Sequence, residues 1–231
     1  MEISKDIIKE EIIKMKKHYD KLAELFITKE KFIPECKEIK GSINDFLNIK
    51  PKPGKTYPDL KSKYPELGKK GDKTIYMFYV TNFLSYKDEI EKKFDGIKKK
   101  DEIKKKKESQ ESSNGKKISS CRKNDSSWKK DFESDEPVCL YVGSSEDIHQ
   151  RLKEHLFLCN PTAYAMHLGE WFDENLSKNL TITINVWNFD AFLTDEKPET
   201  EDEEPDSDYL QNIEDLLWNH YKPLFGRQGK K

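Results

Sequence analysis

The chain has 231 residues with 42 Lys and Arg against 44 Asp and Glu, and its formal net charge of -2 gives no sign of a polyanionic partner. Its 34% hydrophobic and 37% charged residues exclude a large core, whereas 12 Phe, 10 Tyr and 4 Trp exclude a wholly disordered chain. No apolar run approaches the ~20 residues that span a bilayer, and the N-terminus lacks the apolar stretch of a signal peptide. We therefore expect a cytoplasmic protein with no membrane partner, whose four widely spaced cysteines are reduced and hold no zinc.

An amphipathic helix is predicted near the N-terminus, because apolar residues recur at spacings of three and four from Ile8 to Phe26. Beyond Lys29, prolines and glycines are frequent up to Gly71, which predicts a basic linker with little regular structure. We therefore assign residues 1–71 to an N-terminal helical region and linker, and residues 72–231 to the main domain.

The main domain begins with residues 74–80 (TIYMFYV), whose β-branched and aromatic side chains predict a buried strand. Ser85 and Asp88 have the spacing of a capping box and predict a short helix that turns Ile90 and Phe94 inward. Residues 98–136 are rich in Lys, Ser and Asn, and we interpret them as a largely flexible basic insertion.

A second strand is predicted at residues 138–142, followed by Gly143 and a helix with an apolar stripe at Ile148, Leu152 and Leu156. Residues 162–172 predict another short helix. From Leu180 to Trp187 apolar and polar residues alternate, which is typical of a half-buried strand. An acidic loop at residues 195–208 then precedes a last helix, which starts at about residue 208 and is stopped by Pro223.

The near-neutral total charge conceals segments of opposite sign. Residues 98–130 carry 13 Lys and Arg against 5 Asp and Glu, whereas residues 195–208 carry nine acids against one lysine. The basic segment fits either an arm that neutralises DNA phosphates or a solvated loop. The acidic loop fits either a mimic of the phosphate backbone, which restrains the basic regions until DNA displaces it, or a merely solvated segment.

Three side chains on the second predicted strand and the helix that follows it suit a phosphodiester substrate. Arg151 and His155 are four residues apart, so they project from one side of the predicted helix, and the turn at Gly143 brings Tyr141 near them. A guanidinium can hold phosphate oxygens bidentately, while an imidazole and a phenol can move protons. Without other motifs, the same side chains would fit a surface ion pair of Arg151 with Glu154 and an ordinary core tyrosine.

Together with two further motifs, these residues resemble the GIY-YIG nuclease family. Tyr141-Val142-Gly143 is similar to the second half-motif, and Arg151 and His155 follow at the family's spacing. Thr74-Ile75-Tyr76 is similar to the first half-motif. Glu214 resembles the family's metal-binding glutamate, because Lys222-Pro223-Leu224-Phe225 follows it as in the family.

The resemblance implies an α+β fold, a small three-stranded antiparallel sheet flanked by helices, here with an N-terminal helical extension. It also implies a metal-dependent, restriction-like DNA endonuclease whose catalytic residues are Tyr76, Tyr141, Arg151, His155 and Glu214. Glu214 would hold a divalent metal, Mg²⁺ in the first place and Mn²⁺ as the alternative. Arg151 would clamp the phosphate, and Tyr76, assisted by His155, would be the general base, although the choice between Tyr76 and Tyr141 stays open.

Three features of the sequence depart from the family. Thr74 replaces a glycine, Gly226 stands where many relatives have an asparagine, and Tyr76 and Tyr141 are separated by a long insertion. Two alternatives to a nuclease are kept. One is a non-catalytic nucleic-acid-binding protein on the same scaffold, and the other is a protein-interaction module whose basic and acidic segments pair between copies. Whether the protein forms a homodimer is left open.

Overall fold

The computed structural model describes residues 34–108, 121–133, 137–157, 159–160, 163–190 and 206–227, with the backbone alone described at residues 98–108 and 206–209. The chain divides into two units, Met1–Glu35 and Cys36–Lys231, and the description that follows concerns the second. The predicted N-terminal helix lies outside the described residues, as does most of the acidic loop. No helix in the described part is long and apolar enough to cross a membrane.

The core of the fold is one antiparallel sheet of four strands. These are β1 (Cys36–Gly41), β2 (Thr74–Val80), β3 (Val138–Ser145) and β4 (Ile182–Asn188), in the order β1-β4-β2-β3. Every neighbouring pair is antiparallel. The predicted α+β class and the last three strands are therefore confirmed.

The prediction of three strands is corrected to four, because residues 36–41 form an edge strand paired with β4. The sequence of β1, Cys-Lys-Glu-Ile-Lys-Gly, buries only Ile39 and so lacks the alternating apolar pattern that marks a strand. The boundary predicted after residue 71 consequently falls inside the unit that begins at Cys36.

Helices flank the sheet on both faces. Their bounds are α1 (Ile43–Leu47), α2 (Leu60–Lys63), α3 (Lys87–Glu108), α4 (Asp125–Trp128), α5 (Ile148–Leu156), α6 (Leu168–Trp171), α7 (Glu174–Asn179) and α8 (Asp206–Tyr221), with 3₁₀ turns at Pro65–Leu67 and Phe83–Tyr86. The larger core forms on the face covered by α3 and α5, where Phe94 and Leu152 are fully buried. On the other face, Leu217 of α8 packs against Met77, Cys139 and Val142.

Two predicted irregular segments are more ordered than the sequence suggested. The helix that contains Ile90 and Phe94 continues to Glu108, into the first part of the basic insertion. Lys and Glu residues have high helix propensity, and for this reason the prediction that residues 98–136 are largely flexible fails for the first part of the segment. Further along the insertion, Cys121 and Trp128 are buried in the core. In the linker, Leu60 is likewise buried, so this segment packs on the main domain.

The outer edge of β3 is covered by the segment after α8. The backbone N–H groups of Leu224 and Phe225 donate to the carbonyl oxygens of Cys139 and Leu140, at 3.0 and 2.9 Å. This pairing protects an otherwise open sheet edge and places residues 223–226 directly behind Tyr141.

Candidate active site

Tyr76 and Tyr141 lie side by side on neighbouring strands, over Gly143. Tyr76 is directly opposite Gly143 in the β2–β3 register, and the two tyrosine rings stack with centroids 6.1 Å apart and planes 9° apart. A Cβ atom on residue 143 would lie 2.4 Å from the Tyr76 hydroxyl and 2.8 Å from Cε1 of Tyr141. Glycine is therefore required here by the space that the two rings occupy.

Replacing Gly143 with alanine is expected to displace both tyrosines. Because neither ring can move without disturbing the core, the free energy of unfolding should fall by about 1–3 kcal/mol. Chemical denaturation measures this loss. The matched control is Gly96→Ala in α3, where a Cβ meets nothing within 4 Å; that change should be neutral or stabilising. Equal stability of Gly143→Ala and wild type would contradict the packing described here.

Arg151 of α5 holds both tyrosine hydroxyls. Its Nε donates to Oη of Tyr76 at 3.0 Å, and its Nη2 donates to Oη of Tyr141 at 3.4 Å and to the Tyr164 carbonyl at 2.6 Å. Only 19% of the side chain is exposed. A fourth hydrogen bond goes to Glu154, and together the four bonds fix the orientation of the guanidinium. The ammonium group of a lysine could not make all four of these bonds.

Glu154 balances the charge of Arg151. Its Oε2 accepts from Nη1 of Arg151 at 2.9 Å, and its Oε1 accepts from the side-chain amides of Gln150 and Asn160, both at 3.2 Å. Burial opposes ionisation of Glu154, but these hydrogen bonds outweigh it and the pKa of the carboxyl lies below its usual value. The ion pair considered from sequence is thus present, and it coexists with the contacts of Arg151 to the tyrosines.

His155 is fully buried and acts as a hydrogen-bond donor to Tyr76. Its Nδ1 accepts the backbone N–H of Met166 at 3.2 Å, and its Nε2 lies 3.1 Å from Oη of Tyr76. Burial, and then the positive charge of Arg151, hold the pKa of His155 well below its usual range, so the ring is neutral. Since Nδ1 is occupied as an acceptor, the single proton sits on Nε2 and points at the tyrosine.

The hydroxyl of Tyr76 therefore accepts two hydrogen bonds, from Arg151 and from His155. Both bonds stabilise a phenolate. Burial nevertheless dominates and raises the pKa of Tyr76 to about 12, with Arg151 opposing the shift. Burial likewise raises the pKa of Tyr141 well above its usual value. Tyr76 has no exposed surface, so a water molecule reaches its oxygen only when a covering group such as Arg151 moves.

Glu214 on α8 stands beside this group across Ser144. Oγ of Ser144 donates to Oε2 of Glu214 at 2.6 Å, and Ser144 follows Gly143 directly on β3. Burial raises the pKa of Glu214, with Ser144 and then Arg151 opposing the shift and Asp215 reinforcing it. The carboxylate is half-buried and, within the described residues, has no cationic side chain within ion-pair distance.

A hard divalent cation fits this carboxylate. A half-buried carboxylate without a cationic partner is stabilised by a cation, and the hydrogen bonds given for Glu214 come from Ser144 alone. Across the described ranges, no group of three or more His, Cys, Asp or Glu could hold a metal ion. The cation would consequently take its other ligands from water and phosphate, as Mg²⁺ commonly does.

Two of the departures noted in the sequence have structural reasons. Thr74 is buried, and its hydroxyl donates to the Ser145 carbonyl at 2.7 Å, which secures the β2–β3 pairing. Gly226 has a φ of +106°, and a Cβ there would lie 3.2 Å from Cε2 of Tyr141. An asparagine at position 226 would therefore be strained, and Gly226 supports Tyr141 by close backbone contact instead of a polar side chain.

Four contacts of the site were not among the predicted site residues. The Glu154 carboxylate lies three residues after Arg151, a spacing that can be found in the sequence. Ser144 lies on the motif strand beside Gly143 and offered a weaker signal. The Tyr164 carbonyl and the Met166 N–H are backbone groups brought in by the tertiary fold, and no sequence pattern indicates them.

No protein-family model, no curated protein and no solved structure matches this chain. The site can therefore be interpreted only through its chemistry: a fixed guanidinium, two phenols, a neutral imidazole and a carboxylate converge on one corner of the sheet.

Proposed function

We propose that the chain is a metal-dependent DNA endonuclease of the GIY-YIG type, restriction-like, that hydrolyses phosphodiester bonds. The observation that supports the proposal best is the convergence of Tyr76, Tyr141, Arg151 and His155, with Glu214 joined to them through Ser144. These groups came from three distant stretches of sequence. Their assembly at one place is what a phosphodiesterase site requires.

Arg151 binds and orients the scissile phosphate. In the resting arrangement it is paired with Glu154, and one of its five N–H groups remains without a hydrogen bond in the described structure. In the transition state of hydrolysis the phosphate group carries about two negative charges, whereas the carboxylate of Glu154 carries one. The phosphate therefore competes with Glu154 for the guanidinium of Arg151. When Arg151 shifts toward the phosphate, the Tyr76 hydroxyl beneath it becomes accessible.

The phenolate form of Tyr76, whose own proton has first passed to solvent, then accepts a proton from the attacking water as the general base. Tyr76 is the phenol that receives hydrogen bonds from both Arg151 and His155 in the resting arrangement. His155 donates its Nε2–H throughout and stabilises the phenolate; it takes up no proton in this scheme. Tyr141 orients the guanidinium through its hydroxyl. Glu214 would hold Mg²⁺ or Mn²⁺, and that ion, when bound, supplies Lewis-acid neutralisation of the phosphate and the leaving oxygen.

The second candidate is a non-catalytic nucleic-acid-binding protein on the same scaffold. Two observations favour it: Tyr76 has no exposed surface, and Arg151 is already paired with Glu154. A site used only for binding would keep these groups closed. The two candidates differ in a single measurable property, because only the first nicks DNA when metal is added.

Replacing Glu214 with glutamine is expected to abolish plasmid nicking while leaving the fold at least as stable. Loss of the metal ligand removes about 3–4 kcal/mol of transition-state stabilisation, a loss of about 10²–10³-fold. The pKa of Glu214 is raised in the folded state, so ionisation lowers the free energy of unfolding as pH rises through that pKa. Glutamine removes this penalty at neutral pH, and the difference should shrink in acid.

The assay is supercoiled plasmid with Mg²⁺, with Mn²⁺ or with chelator, alongside thermal unfolding of the same samples. Asp215→Asn, at the neighbouring acid, is the matched control and should retain nicking. Equal cleavage by wild type and Glu214→Gln would remove Glu214 from the site. Binding of DNA without cleavage by wild type at any metal concentration would favour the second candidate.

A further inference from the structure

A basic cleft of about 500 Å³ opens on the surface beside α5. One wall is the segment of residues 52–70, which the sequence suggested was a linker, and the other is the outer face of α5. Five lysines line it: Lys52, Lys55, Lys61, Lys70 and Lys153. Such a density of lysines in a concave surface creates a positive potential that concentrates anions.

The acidic residues of the cleft do not cancel this charge. Asp59 is bonded to Ser62 and lies 3.5 Å from the ammonium of Lys52, so that pair is neutral. Asp147 is the N-cap of α5, where it accepts the backbone N–H of Gln150 at 3.1 Å. The other four lysines have no carboxylate within 4 Å in the described ranges.

The two walls are held in fixed relation by buried and backbone contacts. The imidazole Nε2 of His149 on α5 donates to the Tyr64 carbonyl at 2.8 Å. The backbone N–H of Gly71 donates to the Glu146 carbonyl at 2.6 Å, just before α5 begins. Leu60 is fully buried beneath the first wall. The cleft is thus a preformed part of the fold.

The cleft and the candidate active site share one helix. His149, Gln150 and Lys153 of α5 face the cleft, whereas Arg151 and His155 face the tyrosines. A helix with its side chains is about 10–12 Å across, and a DNA strand carries a phosphate every 3.4 Å along the duplex axis. The two faces are therefore about three phosphates apart.

Gln150 joins the two faces directly. Its amide lines the cleft and donates to Oε1 of Glu154, whose other oxygen holds Arg151. Tyr57, which is 40% exposed, adds an aromatic surface to the lysines of the first wall. Lysines interleaved with an aromatic ring are typical of nucleic-acid-binding surfaces.

We propose that this cleft binds the phosphate backbone of the DNA strand that flanks the scissile phosphate at Arg151. The inference rests on the proposed function, and it assigns the segment of residues 52–70 to substrate binding. Lys55 and Lys61, exposed on the first wall, contact phosphates a few nucleotides from the cleavage point. Each such contact displaces a counterion and steepens the salt dependence of binding.

Fluorescence anisotropy with a labelled DNA duplex, measured over a series of salt concentrations, tests the proposal. The variant Lys55→Glu/Lys61→Glu should bind at least about tenfold more weakly than wild type, with the slope of log K against log salt reduced by about 2. Lys40→Glu/Lys92→Glu is the matched control, since both lysines are exposed and lie outside the cleft and outside the basic insertion. It has the same net charge and should keep most of the wild-type slope.

Two free cysteines supply an independent readout. Cys159 lines the cleft, whereas Cys36 is exposed at the start of β1, away from it. Bound duplex should slow alkylation of Cys159 by iodoacetamide several-fold and leave Cys36 unchanged, as measured by mass spectrometry of the digested protein.

Equal affinities and salt slopes of the two double variants, or unchanged alkylation of Cys159, would overturn the cleft assignment. If wild type still cleaves plasmid in that case, the endonuclease proposal stands without it. Lysine-dependent binding without cleavage at any metal concentration would instead support the cleft and overturn the catalytic proposal. Absence of any binding at low salt would overturn both.

Discussion

Arg151→Lys is expected to lose about 10²–10³-fold of the nicking activity although it keeps the positive charge. Catalytic arginines that stabilise phosphoryl transition states contribute about 10³–10⁵-fold, and a lysine replaces a planar fork with a single ammonium. Arg151 bonds Tyr76, Tyr141, Glu154 and the Tyr164 carbonyl at once. A lysine can satisfy only part of this set, so both phosphate orientation and the position of the tyrosines should suffer.

The same substitution should also lower the free energy of unfolding by about 2–4 kcal/mol. Glu154 is buried, and it would lose the guanidinium group that pairs with its carboxylate. Chemical denaturation and single-turnover nicking, measured on the same preparation, separate the two effects. Arg122→Lys at an exposed position provides the control. If Arg151→Lys cleaved at the wild-type rate, Arg151 would be a structural residue and the proposed phosphate clamp would be wrong.

Tyr76→Phe is the second substitution with a large expected effect, a rate loss of about 10²–10³-fold from removal of a general base. It leaves the N–H groups of Arg151 and His155 without their shared acceptor, which should cost about 1–3 kcal/mol of stability. Its diagnostic property is the pH profile. The pKa of Tyr76 is raised to about 12 by burial, so the phenolate fraction of wild type grows tenfold per pH unit below that value.

The logarithm of the wild-type nicking rate should therefore rise with a slope of about 1 between about pH 7 and 9, whereas Tyr76→Phe should show a flatter profile. Tyr79→Phe is the matched control: Tyr79 lies on the same strand but packs on the opposite face of the sheet, with its hydroxyl on Met77. Parallel profiles of Tyr76→Phe and wild type would assign the base to another group, of which Tyr141 is the first alternative.

The sequence predicted those elements whose side chains have strong periodicity. β2 and β4 were recognisable because β-branched and aromatic residues fill them, and α5 because its apolar residues recur every fourth position. β1 could not be found in the same way, since Ile39 alone is buried and its neighbours are charged. Its pairing is decided by the open edge of β4, a tertiary property that no local pattern encodes.

In the candidate site, too, some features could be predicted from the sequence and others could not. The proximity of Tyr76 to Arg151 was implied by the resemblance to the nuclease family, and the structure brings the two side chains within hydrogen-bond distance. The protonation of His155 could not be predicted, because it depends on a backbone N–H of Met166 that approaches from another segment. The basic cleft was equally hidden: its lysines were visible in the sequence, but only folding places them against α5.

The backbone pairing of residues 224–225 with the outer edge of β3 has a consequence for synthesis of the protein. Tyr76 and Arg151 leave the ribosome before Glu214 and before Gly226, whose backbone supports Tyr141. Domains generally fold as units during translation. A nascent chain that ends before residue 224 therefore contains Arg151, Tyr76 and Tyr141 but leaves the outer edge of β3 unpaired. We expect the proposed activity to begin only after residues 224–226 have emerged and residues 224–225 have paired with that edge.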